Sequence, residues 1–80
     1  MANNLTQWRP SARINLRNFK HETKRFPTYR ELKKNMPELM ENSYDDEVHV
    51  SRTKRGEWGE WFETWGISNG KPTIIKQGWM

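Results

Sequence analysis

Ser11-Ala12-Arg13-Ile14-Asn15-Leu16-Arg17-Asn18-Phe19-Lys20-His21-Glu22-Thr23-Lys24-Arg25 is the stretch on which the fold of this chain turns. At roughly 100° per residue, Ala12, Leu16, Phe19, Thr23 and the following Phe26 fall within about 80° of one another, as in the core stripe of a helix. Arg13, Arg17, Lys20 and Lys24 form a second stripe, centred roughly 100° around the same helix. Ser11 can cap its start, just after Pro10. Phe26-Pro27 ends it, because the residue before a proline avoids the α region. The spacing predicts a first helix from Ser11 to Arg25.

Outward from that stretch, Thr28-Tyr29-Arg30-Glu31 has the form of a capping box. Tyr29, Leu32 and Met36 follow at helical spacing. Pro37 breaks or kinks this second helix, or opens a short third one, Pro37–Glu41, as its first residue. Leu39 and Met40 would face that turn to the core. Asn42-Ser43 and Asp45-Asp46 read as a loop.

Beyond Ser43 the period changes from helical to alternating. Val48 and Val50 alternate with His49 and Ser51, a strand signal over Glu47–Thr53. Lys54-Arg55-Gly56-Glu57 reads as a turn and Trp58–Ser68 as a central strand. Asn69-Gly70 is a strong hairpin signal, because a type I′ turn needs positive φ at both positions. Lys71–Trp79 returns as a strand in which Pro72 is tolerable only at a sheet edge. A two-residue turn pairs Trp65 with Ile74 and Glu63 with Lys76, and a four-residue turn pairs Val50 with Trp61. Val48, Val50, Trp61, Trp65, Ile67 and Ile74 then share the core face. His49, Phe62, Ile75 and Trp79, mixed with Ser51, Glu60, Thr64 and Gln77, share the other.

The expected fold is α+β: two to three N-terminal helices packed on a three-stranded antiparallel β-meander. One domain covers 1–80, with 1–7 flexible, 8–42 a helical half and 47–79 an antiparallel sheet. The order helix, helix, short helix, basic-tipped hairpin, final strand resembles that of winged-helix DNA-binding domains, on element order alone. Phe26-Pro27-Thr28-Tyr29-Arg30-Glu31-Leu32 also looks like the start of the first helix of many helix-turn-helix units. In such a unit the next helix, here Pro37–Glu41, reads bases in the major groove. It carries Glu38 and Glu41 and no Arg or Lys, so contacts are expected elsewhere and largely without sequence readout.

A chain of 80 residues with 32% apolar residues has a small core, with stability near the low end of about 5–15 kcal/mol. Five Trp, three Phe and two Tyr offset the shortage of aliphatics and argue against disorder. The absence of Cys excludes disulfides and thiolate metal sites. Met1-Ala2-Asn3-Asn4-Leu5 has no apolar signal core, and no stretch approaches the roughly 18 apolar residues of a membrane span. A cytoplasmic location is expected.

The charge is polarised along the chain. Residues 1–34 carry nine Lys/Arg and two Glu, residues 35–47 five acids and no base, and residues 48–80 five bases and three acids. A basic N-terminal half attracts phosphate. Four cations at helical spacing repel one another, so phosphate contact would explain Arg13, Arg17, Lys20 and Lys24. Arg52, Lys54 and Arg55 sit at a hairpin tip that could follow a phosphate backbone. Trp58, Phe62 and Trp79 are candidates for base stacking or for a protein interface, and Trp61 and Trp65 for the core. His21 and His49 lack a metal-site pattern. Asp45-Asp46-Glu47 reads as a solvated loop, and no catalytic motif is present. The expected function is non-enzymatic nucleic-acid binding, to DNA or RNA, without cofactor or metal. The alternative is a protein-binding inhibitor or adaptor of the kind found among phage-encoded small proteins, using an aromatic sheet face or an edge strand. An apolar outer face could also form a homodimer.

Overall fold

The computed structural model describes residues 10–52 and 60–79. It overturns the helical reading of residues 11–25. The chain forms β1 (Ser11–Asn15), β2 (His21–Arg25), α1 (Tyr29–Lys34), α2 (Met36–Asn42), β3 (Val48–Arg52), β4 (Trp61–Ser68) and β5 (Lys71–Trp79). All five strands join one antiparallel sheet in the order β2-β1-β3-β4-β5. The architecture is thus a five-stranded sheet with two short helices. It is neither helices on a three-stranded meander nor a winged-helix arrangement.

The predicted first helix is a β-hairpin, and the reason lies in the residues between its arms. Asn18 (φ 65°) and Phe19 (φ 60°) both adopt the left-handed conformation, which a type I′ turn demands and a helix forbids. Lys20 N–H reaches Arg17 O at 3.4 Å and Leu16 N–H donates to Lys20 O at 2.8 Å, closing the turn. Asn accepts positive φ readily. The arm before it also carries a period of two. Ala12 and Ile14 are buried while Arg13 between them is exposed. The same residues fit a helix and a strand, and pairing decides between them. β1 lies between β2 and β3, with Ala12 opposite Lys24 and Val50, and Ile14 opposite Glu22 and Val48.

β2 is an edge strand exposed along its whole length. His-Glu-Thr-Lys-Arg discourages pairing with another chain, as charged edges do. Phe26 N–H donates to Pro10 O at 2.9 Å, extending the ladder by one bond before Pro27 turns the chain away.

The helices follow the capping signals. The Thr28 hydroxyl accepts from Glu31 N–H at 3.1 Å, as the capping box requires. α1 and α2 are separated at Asn35, and Pro37 sits in the first turn of α2, where its missing N–H costs nothing. Leu32, Met36, Leu39 and Met40 are buried against Ala12, Ile14, Val48 and Val50. This small cluster is the core. Among the described residues it contains no aromatic; Leu16, Phe26, Tyr29 and Trp65 pack around its rim. Trp61 and Trp65, expected in the core, are half-buried instead, with Trp65 packed against the cluster.

On the C-terminal side, Asn69 (φ 52°) and Gly70 (φ 76°) make the expected turn. Trp65 pairs with Ile74, and Pro72 lies on the edge strand β5. A bulge at Thr64/Trp65 then shifts the ladder, so that Glu63 faces Gln77 and not Lys76. The extra residue moves Gln77 and Trp79 to the side of Trp61. Trp79 meets Trp61 edge to face, with centroids 5.3 Å apart. The β3–β4 register also differs from expectation, with Val50 opposite Glu63 and Arg52 opposite Trp61. A slip of two preserves the face but seats a carboxylate in the buried row. The reading of 1–7 as flexible and of 54–57 as a turn falls outside the described residues. No helix among the described residues is long and apolar enough to cross a membrane.

Candidate nucleic-acid interface

The β1–β2 hairpin gathers five cations, Arg13, Arg17, Lys20, Lys24 and Arg25, against the single acid Glu22. Among the described residues none of these cations enters an ion pair. Strand geometry disperses the predicted stripe. Arg13 lies opposite Thr23 and His49 on the open face of the sheet, while Lys24 lies opposite Ala12 on the helix side. Arg17 and Lys20 are the first and last residues of the turn and stand at the tip. The four do not form one face; two of them form the tip.

Between Arg17 and Lys20 the turn presents Phe19, fully exposed. A large side chain at positive φ is strained, and this one has no packing that would offset the strain. Phe19 was expected in the core stripe of a helix. The sequence signal against that reading was Asn18 between two alternating stretches.

Tyr44 sits beside the tip. Its backbone N–H donates to Asn15 O at 2.8 Å, and the Arg17 guanidinium stands 5.5 Å from its ring centroid. The loop holding Tyr44 is braced on both sides. Asn15 Nδ2 donates to Asp45 Oδ2 at 2.9 Å, and Glu47 N–H donates to the Ser43 hydroxyl at 3.1 Å. The Asn15 hydrogen bond, opposed by partial burial and aided by Ser43, holds the Asp45 carboxyl below its usual range. Phe19, Arg17, Lys20, His21 and Tyr44 line an open cleft of about 610 Å³. Tyr44 and Phe19 are the site residues that sequence reasoning missed.

The remaining sequence candidates are placed elsewhere. Arg52 is half-buried, its guanidinium lying 3.6 Å from the Tyr29 ring centroid and 3.7 Å from Glu63 Oε2. Lys54, Arg55 and Trp58 lie outside the described residues. Phe62 is half-buried on the open face, leaning over Gly78, where a Cβ would come 3.5 Å from its ring. Trp79 lies on the opposite face with Trp61.

Among the described residues Glu63 is the one buried charged residue, 3% exposed. Tyr29 OH lies 2.7 and 2.8 Å from its two oxygens, Trp65 Nε1 donates to Oε1 and Trp61 Nε1 to Oε2, each at 2.9 Å. Burial, then the Glu63 hydrogen bond and charge, push the Tyr29 phenol above its ordinary range, against the opposing pull of Arg52. This carboxylate is satisfied by structural partners, which makes it a brace between α1 and the sheet. Among the described residues no group of three or more His, Asp or Glu is placed to hold a metal. No protein-family model matches the chain, and comparison with curated proteins and with solved structures gave no match.

Proposed function

We propose that this protein binds nucleic acid through the β1–β2 hairpin, with phosphates at Arg17 and Lys20 and the flanking cations of both strands steering the approach. The observation that supports this most is the tip itself, where a fully exposed Phe19 stands between two cations that have no ion-pair partner among the described residues. Such cations gain by releasing counterions from a phosphate backbone. β2 is exposed along its length, so the hairpin can approach a strand without steric conflict from α1 and α2. The helix-face mode expected from the sequence is replaced by a hairpin mode.

Fluorescence anisotropy of labelled oligonucleotides at two salt concentrations tests this. With about two phosphates engaged, affinity should fall roughly 7- to 12-fold between about 50 and 200 mM salt. Arg17→Glu with Lys20→Glu should abolish binding and leave the melting curve unchanged. Retained affinity in that folded double mutant would defeat the proposal.

A second reading has its own support. β5 is an edge strand, and Ile67, Ile75 and Trp79 around it are exposed. An extended segment of a partner protein could add a strand there. Binding of that kind would respond little to salt.

A further inference from the structure

The cleft between the hairpin tip and the Tyr44 loop has a shape that the phosphate contacts do not require. Phe19 and Tyr44 come from segments far apart in sequence, yet both line it, with Arg17 and Lys20 at its margins. Tyr44 is largely exposed, although its backbone is fixed by the bond to Asn15. Two solvated rings on braced backbone, beside cations that make no ion pair among the described residues, are poor choices for stability and good ones for stacking. Nucleobases stack on aromatic rings and on guanidinium planes, and only a base released from a duplex offers its whole face.

Building on the hairpin reading, we infer that this cleft receives an unpaired base, stacked on Phe19 and on the Tyr44–Arg17 pair, so that the ligand is single-stranded nucleic acid. The flanking phosphates lie on Arg17 and Lys20. Because the contacts are to ring faces, sequence preference is weak.

Three probes separate the parts of this inference: a labelled oligothymidine of about 12 nucleotides, within the usual site size of such modules, a duplex of the same length, and an abasic strand of the same length. The oligothymidine should bind more tightly than either of the others. Phe19→Gly and Tyr44→Ala should each weaken it by roughly 5- to 150-fold, the range for loss of one stacked base. Phe19→Trp should retain binding. Neither weakening variant removes a buried side chain, and glycine suits the φ of position 19, so unfolding does not confound the result. If the abasic strand and the duplex bind as well as oligothymidine and Phe19→Gly has no effect, base stacking is refuted while the phosphate reading stands. If no probe binds at low salt, both readings fall.

Discussion

Replacing Glu63 with glutamine changes two atoms' chemistry and no shape, and it should be among the most damaging single substitutions in this protein. The carboxylate offers only acceptors, and every neighbour is a donor: one phenol, two indoles and the Arg52 guanidinium. An amide keeps one acceptor oxygen. If that oxygen serves Tyr29 and Trp65, the NH₂ group confronts the Trp61 N–H. If the amide is flipped, it confronts Trp65. One charge-assisted hydrogen bond is lost outright, at about 1.5–3 kcal/mol, and the others fall to neutral strength. The total is about 3–4 kcal/mol, against a domain stability near 5 kcal/mol. For a chain of this size each kcal/mol moves Tm by roughly 4–8 °C, so Glu63→Gln should lower it by about 12–32 °C. Thermal and urea unfolding, followed by circular dichroism and Trp fluorescence, measures this directly. Glu38→Gln, on the exposed side of α2, is the control and should stay within about 0.5 kcal/mol of wild type. A Glu63→Gln protein that melts within a few degrees of wild type would refute the claim that this carboxylate braces the fold.

Three further outcomes follow from the geometry. Phe19→Gly should stabilise the protein by about 1 kcal/mol, because a bulky residue at left-handed φ costs about that much, and a melting temperature equal to or below that of wild type would count against a strained tip. The raised Tyr29 pKa means that the folded state prefers the neutral phenol; the stability it contributes is complete below about pH 10, the ordinary phenol value, and declines as the unfolded chain ionises above it. Tyr29→Phe should flatten that alkaline decline in a pH series of urea midpoints. Asn15→Ala should let the Asp45 carboxyl rise toward its usual value, a change that carboxyl chemical shifts would follow, and an unchanged titration would show that Asn15 is not the main cause.

The C-terminal half was legible because its signals are local and agree with one another. Val48 and Val50 alternate, Asn69-Gly70 admits one turn type, and Pro72 marks an edge; the Trp65–Ile74 pair follows from the turn alone. The Thr28 cap and the inward Leu32, Leu39 and Met40 were equally readable. The bulge at Thr64/Trp65 was not: Gly66, whose missing Cβ leaves room for the extra residue Ile75, does not by itself specify a shift of register, and every residue of β5 beyond it changed partner as a result. Residues 11–25 were misread for a different reason. Ala12, Leu16 and Phe19 satisfy a helical period while Ala12, Ile14 and Leu16 satisfy a period of two. Propensity is a weak prior on such a segment, and tertiary pairing overrides it. Val48 and Val50 supply the pairing, and they lie more than thirty residues downstream of Ile14.

That misreading also explains why the site was only half visible. Arg17 and Lys20 were singled out on a helix, where they would have been two members of a stripe; on a hairpin they become the two shoulders of a turn. Phe19 was assigned to the core for the same reason and is instead the most exposed large apolar residue among those described. Arg52 shows the converse. As a cation near a supposed hairpin tip it looked available to phosphate, but the buried carboxylate two strand positions beyond Trp61 draws it onto Tyr29. The charge of a residue was readable from the sequence; whether that charge is already engaged was not. In this fold Arg52 is ion-paired to a buried carboxylate and supports the core, whereas Arg17 and Lys20 make no ion pair among the described residues and stand at the tip. The reading of the hairpin as a ligand site therefore rests on that difference in engagement, since composition alone would have treated Arg52 and Arg17 alike.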